Sequence, residues 1–346
     1  NRQNNDTFAR KLFINLRWQS LSLGLRVFIS FFSLGYIASI AGAENVGIFG
    51  IVWAFVFAIY SSILGLCGQS IIGIKIIKKN HLHACFMASI CIPLFVILIG
   101  YLLIFVSNLA QLPDNIQEGF KYGLIILPLM CLSVVDNSNL QKALNFKLFA
   151  IINTTSTILS ALISIFIAIY WNPLLALFTL TGLIGFLQFM IYRFIGYSVP
   201  IGKFTFQNFC EVWSTGKHFA INAISGMIWI NNPQLIFATM FSLEQVGIYV
   251  LCRRLIEMVS TQISGLVNSV IFPSFTSISN DLNRISIIFQ KCNFYVCGLM
   301  MLPLLALGSS PKDFLLIYAG SDWVSGANIL VLIVLMQMGL NFGQAV

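Results

Sequence analysis

The chain has 346 residues, 58% of them hydrophobic and 9% charged, with a mean hydropathy of +0.90. Soluble domains carry about 25% charged residues, so this composition cannot clothe a water-exposed surface, and a bilayer is the solvent that fits it. The net charge of +8 would suggest a nucleic-acid partner in a soluble protein, but here the positions of the charges carry more than their sum.

Apolar runs lie at 16–41, 46–74, 84–107, 120–141, 148–171, 174–196, 217–241, 246–273, 291–308 and 324–345. Each approaches the roughly 20 residues that cross a hydrocarbon core as a helix. The expected fold class is therefore an all-α polytopic membrane protein with about ten spans. Arg10, Lys11 and Arg17 precede the first run, which is too long for a signal-peptide core and ends without a small-residue cleavage site. The turns are short, and none has room for a soluble domain.

Taken along the chain, the charges alternate. With the N-terminus inside, the inner side holds Arg2, Arg10, Lys11, Arg17, Lys75, Lys78, Lys79, Lys142, Lys147, Arg193, Lys203, Lys217, Arg284 and Lys291, and the outer side only Lys121 and Lys312. This 14-to-2 bias predicts a cytoplasmic N-terminus. The outer turns carry acids instead: Glu44, Asp114, Glu118, Glu244, Asp313 and Asp322.

Glu44-Asn45-Val46-Gly47-Ile48-Phe49 recurs as Glu244-Gln245-Val246-Gly247-Ile248-Tyr249. Both copies occupy an outer turn, between runs one and two and between runs seven and eight. The repeat unit is thus six helices in parallel orientation, which predicts two lobes about an axis along the membrane normal. The expected division is an N-terminal lobe over 1–197, a cytoplasmic linker over 198–216 and a C-terminal lobe over 217–346. The second lobe then holds four of about six helices, and further spans are expected after Val346. In the linker, Phe204, Phe206, Phe209, Val212 and Trp213 alternate with polar residues. An amphipathic interfacial segment and an ordinary solvated loop both fit it, and both fit the 275–291 loop.

Five ionisable residues fall inside the runs: Arg26, Asp136, Arg253, Arg254 and Glu257. A charge at the centre of a span costs about 2.5–3.5 kcal/mol, so such residues face protein or a wet cavity. Arg26 and one of the pair Arg253/Arg254 are candidates to line a shared cavity that binds an anion, because guanidinium grips phosphate bidentately. Internal pairing is the alternative, with Glu257, three or four residues on, and Asp136 as candidate charge partners. Asn231-Asn232-Pro233-Gln234 interrupts the seventh run, and proline there frees a carbonyl. A kink lining the cavity and a packed kink are both open.

Enzyme signatures do not emerge. Gly68-x-x-x-x-Gly73-Ile74-Lys75 lacks the Gly-Lys-Ser/Thr end of a phosphate-binding loop. His81, His83 and Cys85 make a poor metal set, and no metal or other cofactor is expected. The eight cysteines form no CxxC pair and read as small buried hydrophobes.

A series of short motifs nevertheless resembles a known family. It comprises Gly47-Ile48-Phe49-Gly50, Gly65-Leu66-Cys67-Gly68-Gln69, Leu140-Gln141-Lys142 with Phe146-Lys147, Val246-Gly247-Ile248-Tyr249, Phe272-Pro273 and Gly320-Ser321-Asp322-Trp323. From about Leu12 onward the chain is similar to the Wzx-type polysaccharide repeat-unit flippases of the multidrug/oligosaccharidyl-lipid/polysaccharide exporter superfamily. The resemblance departs in the seventh helix, where an Asn-x-Asp-Lys-like stretch and a Gly-Arg pair of the family correspond to Asn231, Pro233, Gln234, Ala238 and Thr239. It implies two lobes, alternating access and no enzymatic activity. It also implies transport of undecaprenyl-pyrophosphate-linked oligosaccharide across a bacterial cytoplasmic (inner) membrane, for O-antigen, capsule or exopolysaccharide synthesis. Lipid-linked oligosaccharide and membrane lipids are the implied partners, with polysaccharide polymerase and export machinery as candidates and no nucleic acid. The rivals are a cation-coupled multidrug exporter of the same superfamily, which would want more buried acids, and a membrane-embedded polysaccharide polymerase, which would want larger outer loops.

Overall fold

The computed structural model describes residues 2–74, 78–109, 113–143, 145–199, 206–258 and 300–344, with the single residues 260, 294 and 298. The 275–291 loop, the end of the eighth run, and Lys75, Lys203, Arg284 and Lys291 lie outside the described residues. Within them the chain is helical, with no strand.

The first helix, α1, covers Arg2–Ile63 and passes through Gly42, whose φ of 76° and ψ of 165° are not helical. Only glycine takes such a conformation without strain. The apolar stretch Trp18–Gly73 has 56 residues. Straight, it would measure about 84 Å, nearly three times a hydrocarbon core of about 30 Å. Side-chain contacts show that it folds back. Near its start, Ser22 Oγ meets the Thr154 hydroxyl at 2.7 Å, and Lys147 lies over the Trp18 ring at 5.3 Å. Near its end, Lys142 Nζ donates to the carbonyls of Ile71 and Ile74. Both ends of the stretch therefore lie beside residues 142–154, and Gly42 marks a hairpin between two spans.

A π-helical segment, Leu64–Gln69, leads into the short α2, Ser70–Gly73. Then come α3 (Lys79–Leu109), α4 (Asp114–Cys131), α5 (Val134–Lys142), α6 (Phe146–Tyr170), α7 (Pro173–Ile195) and α8 (Phe206–Met240). Helix α9 spans 243–258. The helices α10 (Met300–Ser309) and α11 (Pro311–Ala319) bend by 89° at Ser310. A 3-10 turn, Ser321–Gly326, opens α12 (Ala327–Gln344). The stops are chemically plain. Asn172 caps α7 by accepting from the N–H groups of Leu174 and Leu175, with Pro173 in its first turn, and Gly196 closes the helix at φ 73°.

Among the described residues, six helical stretches are long and apolar enough to cross a membrane, or seven if the bent α10–α11 pair counts as one. That is fewer than the ten apolar runs, and the difference has identifiable sources. The first stretch holds two runs. Helix α9 is followed by residues outside the described set. Helix α8 is diluted by Asn231, Asn232, Pro233 and Gln234, yet it remains helical through all four, with Pro233 inside it. Residues 206–216 of the expected linker form the first turns of α8. The core joins α1 to α4, α7, α9 and α11 through Ile37, Phe49, Leu127, Phe178, Leu251 and Leu315, all buried.

Candidate functional site

The two copies of the sequence repeat meet face to face. A side chain added at Gly47 would strike the carbonyl of Leu243, and one at Gly247 would strike the carbonyl of Ala43. The partners differ in number by two hundred in both directions, as a two-fold relation between the copies requires. Each copy then packs its isoleucine on a glycine further along: Ile48 on Gly119 of α4, Ile248 on Gly326 at the start of α12. Gly50 lies against Val250 and the amide of Gln234. A second glycine pair crosses at the opposite end, with Gly65 close to the Phe219 carbonyl and Gly216 close to that of Leu66. The first half of the chain thus touches the second at both ends of the bundle, backbone against backbone, at positions where any side chain would separate them.

Between these crossings lie the buried cations. The Arg254 guanidinium of α9 sits 4.3 Å from the ring of Phe49 and 5.5 Å from that of Trp53, both in the second arm of α1. It makes no ion pair among the described residues, and Glu257 acts on it electrostatically without pairing. Arg253 instead donates from Nε to Glu257 Oε1 at 2.7 Å, one turn on. The two adjacent arginines are thus differently satisfied: one by a carboxylate, the other by aromatic faces from across the contact. Arg26 Nε is buried and finds no hydrogen-bond partner among the described residues. Five residues further along, the Phe31 carbonyl accepts the Tyr318 hydroxyl of α11 at 2.9 Å, and the two rings lie 4.6 Å apart. Tyr318 is also within electrostatic reach of Arg254. The tyrosine therefore links the α1 arm carrying Arg26 to the region of Arg254.

In α8, Asn231 turns back on its own helix, donating to the Met227 carbonyl at 3.0 Å, and Asn232 is exposed. Gln234 is the buried member of this group. It alone reaches the crossing at Gly50, and nothing in the sequence sets it apart from its neighbours. Pro233 does not interrupt the helix.

Asp136 lies apart from the arginines of the candidate cavity. It is 1% exposed, and its Oδ1 accepts the backbone N–H of Val199 at 2.7 Å. The Val199 carbonyl in turn accepts from Arg193 at 3.2 Å. Around it stands a polar network that residue spacing does not announce. Ser133 and Asn137 both donate to Gln188 Oε1, at 2.8 and 2.7 Å. Gln188 donates to Asn153 at 2.7 Å, and Tyr192 donates to Asn137 at 2.6 Å. At the opposite end, a cavity of about 330 Å³ is lined by Glu44, Asn45, Asn115, Glu118 and Asn172 among others.

Comparisons with known proteins identify the family and the fold. The family described as "Polysaccharide biosynthesis protein" matches residues 37–327. The succinoglycan biosynthesis transport protein ExoT of Rhizobium meliloti (strain 1021) is 22% identical over 341 residues, covering 95% of this chain and 67% of the relative. Among solved structures, an inward-facing multidrug resistance MATE family transporter of the MOP superfamily superposes with a TM-score of 0.63 at 13% identity, over 96% of this chain and 84% of that one. A MATE transporter in the straight conformation superposes with a TM-score of 0.53 at 12% identity, over 97% and 82%. At such identities the structural likeness concerns the fold, an all-helical transporter bundle of two lobes.

Proposed function

This chain belongs to the polysaccharide biosynthesis protein family, and on that footing we propose that it moves a lipid-linked, phosphate-bearing oligosaccharide from the inner to the outer leaflet of a bacterial cytoplasmic membrane. The reading is that of a transporter, not an enzyme. Two lobes, divided at the segment joining α7 to α8, rock against each other, and the glycine crossings at the two ends open in turn.

The observation that carries this is Arg254, a cation at the contact between the two halves that leans on Phe49 and Trp53 and has no carboxylate paired to it among the described residues. A cation–π contact recovers about 2 kcal/mol when desolvated, less than the roughly 2.5–3.5 kcal/mol that a charge costs at mid-membrane. The site is thus left short of negative charge, which a pyrophosphate supplies. The charge also favours the outward direction: with the inside negative, moving an anion out gains about 2.3 kcal/mol per charge per 100 mV. The fold alone would serve drug export equally. The family match and the excess of arginines over acids inside the apolar runs favour the anionic sugar lipid.

The test is leaflet-resolved detection of lipid-linked repeat units in a flippase-deficient strain that expresses the protein. The expected result is outer-leaflet material with the wild type, and retention in the inner leaflet with the Arg26→Ala/Arg254→Ala double variant at unchanged protein level. Wild-type distribution in the double variant overturns the cationic-site reading.

A further inference from the structure

The buried carboxyl of Asp136 is used by nothing described above. Its Oδ1 is engaged, but its Oδ2 is fully buried and has no hydrogen-bond partner among the described residues. A carboxylate oxygen deprived of both water and donor is costly, and native structures keep such groups when they serve a purpose. A carboxylic acid has a different requirement, since its second oxygen carries the hydrogen. The surroundings suit a carboxyl that changes between the two.

We propose that Asp136 is a reversible proton site, and that its protonation state sets how firmly Val199, just past the end of α7, is held. Three features of the structure lead there. Val199 is clamped from both sides, its N–H held by Asp136 and its C=O by Arg193. The clamp sits between α7 and α8, where the first half of the chain passes to the second. The other oxygens nearby are already spoken for: Asn137 Oδ1 accepts from Tyr192, and Gln188 Oε1 accepts from Ser133 and Asn137.

That last point decides the ligand. A metal cation wants several oxygen ligands, and here a single free carboxylate oxygen is on offer with the Arg193 guanidinium acting on the same carboxyl. A proton needs one oxygen only. Arg193 and Tyr192, both on α7, are the titratable groups acting electrostatically on Asp136 among the described residues. The other elements packed on α5, namely the π-helical segment Leu64–Gln69, α2, α3 and α6, contribute none among the described residues. As a carboxylate, Asp136 balances Arg193 and both grip Val199. On taking a proton from water it becomes neutral, Arg193 loses its counter-charge, and the clamp slackens on the carbonyl side.

This rests on the transporter reading for its purpose but not for its chemistry, so the test measures the proton directly. The purified full-length protein in lipid nanodiscs is titrated while the carboxylic-acid C=O stretch is followed by infrared difference spectroscopy. The same samples are pulsed with deuterium to read backbone exchange over 193–199, corrected for the intrinsic pH dependence. Asp136→Asn keeps an oxygen for the Val199 N–H but carries no titratable proton. The wild type is expected to show a titrating C=O band and an exchange change with the same midpoint, both lost in Asp136→Asn. Arg193→Gln keeps the carboxyl and, by removing the cation that acts on it, is expected to move the midpoint. That second variant decides the matter if Asp136→Asn does not fold. A C=O band that persists in Asp136→Asn, exchange over 193–199 that ignores pH in the wild type, or a midpoint unmoved in Arg193→Gln overturns the proposal. Loss of polysaccharide export is not among these readouts, so failure of the transport reading and failure of the proton site are separable.

Discussion

Arg253 and Arg254 are neighbours in sequence and opposites in circumstance. The first has a carboxylate one turn away at 2.7 Å, and the second leans on the faces of Phe49 and Trp53. Their replacements should therefore separate. Arg254→Ala removes the group proposed to meet the substrate phosphate, a charge-assisted contact worth about 1.5–3 kcal/mol, or about 10- to 100-fold in transport. Arg253→Ala leaves Glu257 without its arginine and should lower protein level more than it lowers transport per molecule. Arg254→Lys keeps the charge but loses the planar fork, and should fall between wild type and alanine. Surface polysaccharide normalised to protein in the membrane fraction checks all three. Equal normalised output from Arg253→Ala and Arg254→Ala would remove the distinction.

The helices meet through glycine, and that is a matter of contact between elements, not of local preference. At Gly247 even a methyl group would overlap the Ala43 carbonyl, a backbone atom that cannot swing aside. Overpacking of this kind costs about 1–3 kcal/mol in close-packed interiors. Gly247→Ala should therefore spread α9 from α1. Its effect is read with the cysteine pair Ala43→Cys/Leu243→Cys, which should cross-link readily in the parent and poorly once Gly247→Ala is added. Undiminished cross-linking would show that the two arms are not held together at this glycine. The existence of a repeat was legible, because Glu44–Phe49 and Glu244–Tyr249 are identical at four of six consecutive positions and conservatively changed at the other two. The spans were legible too, since membrane helices announce themselves by length and apolarity. What the sequence did not disclose was that the two copies touch, that Gln234 and not Asn231 reaches the crossing, or that Asp136 holds a backbone N–H sixty-three residues away. Ser133, Asn137, Asn153 and Gln188 each look like a tolerated polar residue in an apolar run, and only the packing of α4, α5, α6 and α7 turns them into a network. The continuity of α8 through Pro233 was likewise hidden, because a proline inside a helix and one that ends it look alike in a string of letters.

At the scale of the whole molecule, the charges and the contacts sort into the same two ends. Trp18, Lys147, Lys142 and the carbonyls of Ile71 and Ile74 gather at one. His81 of α3 meets Glu211 of α8 at 2.7 Å, each in the first turns of its helix. At the other end Asn115 donates to Glu44 at 3.3 Å, and Asn172 donates to Glu118 at 3.2 Å. Lys and Arg crowd the first end and acids the second, so the rule that positive loops stay inside predicts that the first faces the cytoplasm. The assignment is testable without any assumption about substrate. In a background freed of the eight native cysteines, Lys78→Cys is expected to be shielded from a membrane-impermeant thiol reagent in intact cells and to react after permeabilisation. Asp114→Cys is expected to react in both. The helices between these positions do not depend on either side chain, so the readout reports topology and not folding. If Lys78→Cys reacts in intact cells and Asp114→Cys does not, the molecule sits the other way up. The membrane potential would then oppose the proposed movement of an anion from α8's first turns toward Glu44, and the transport direction argued from it would fall with the orientation.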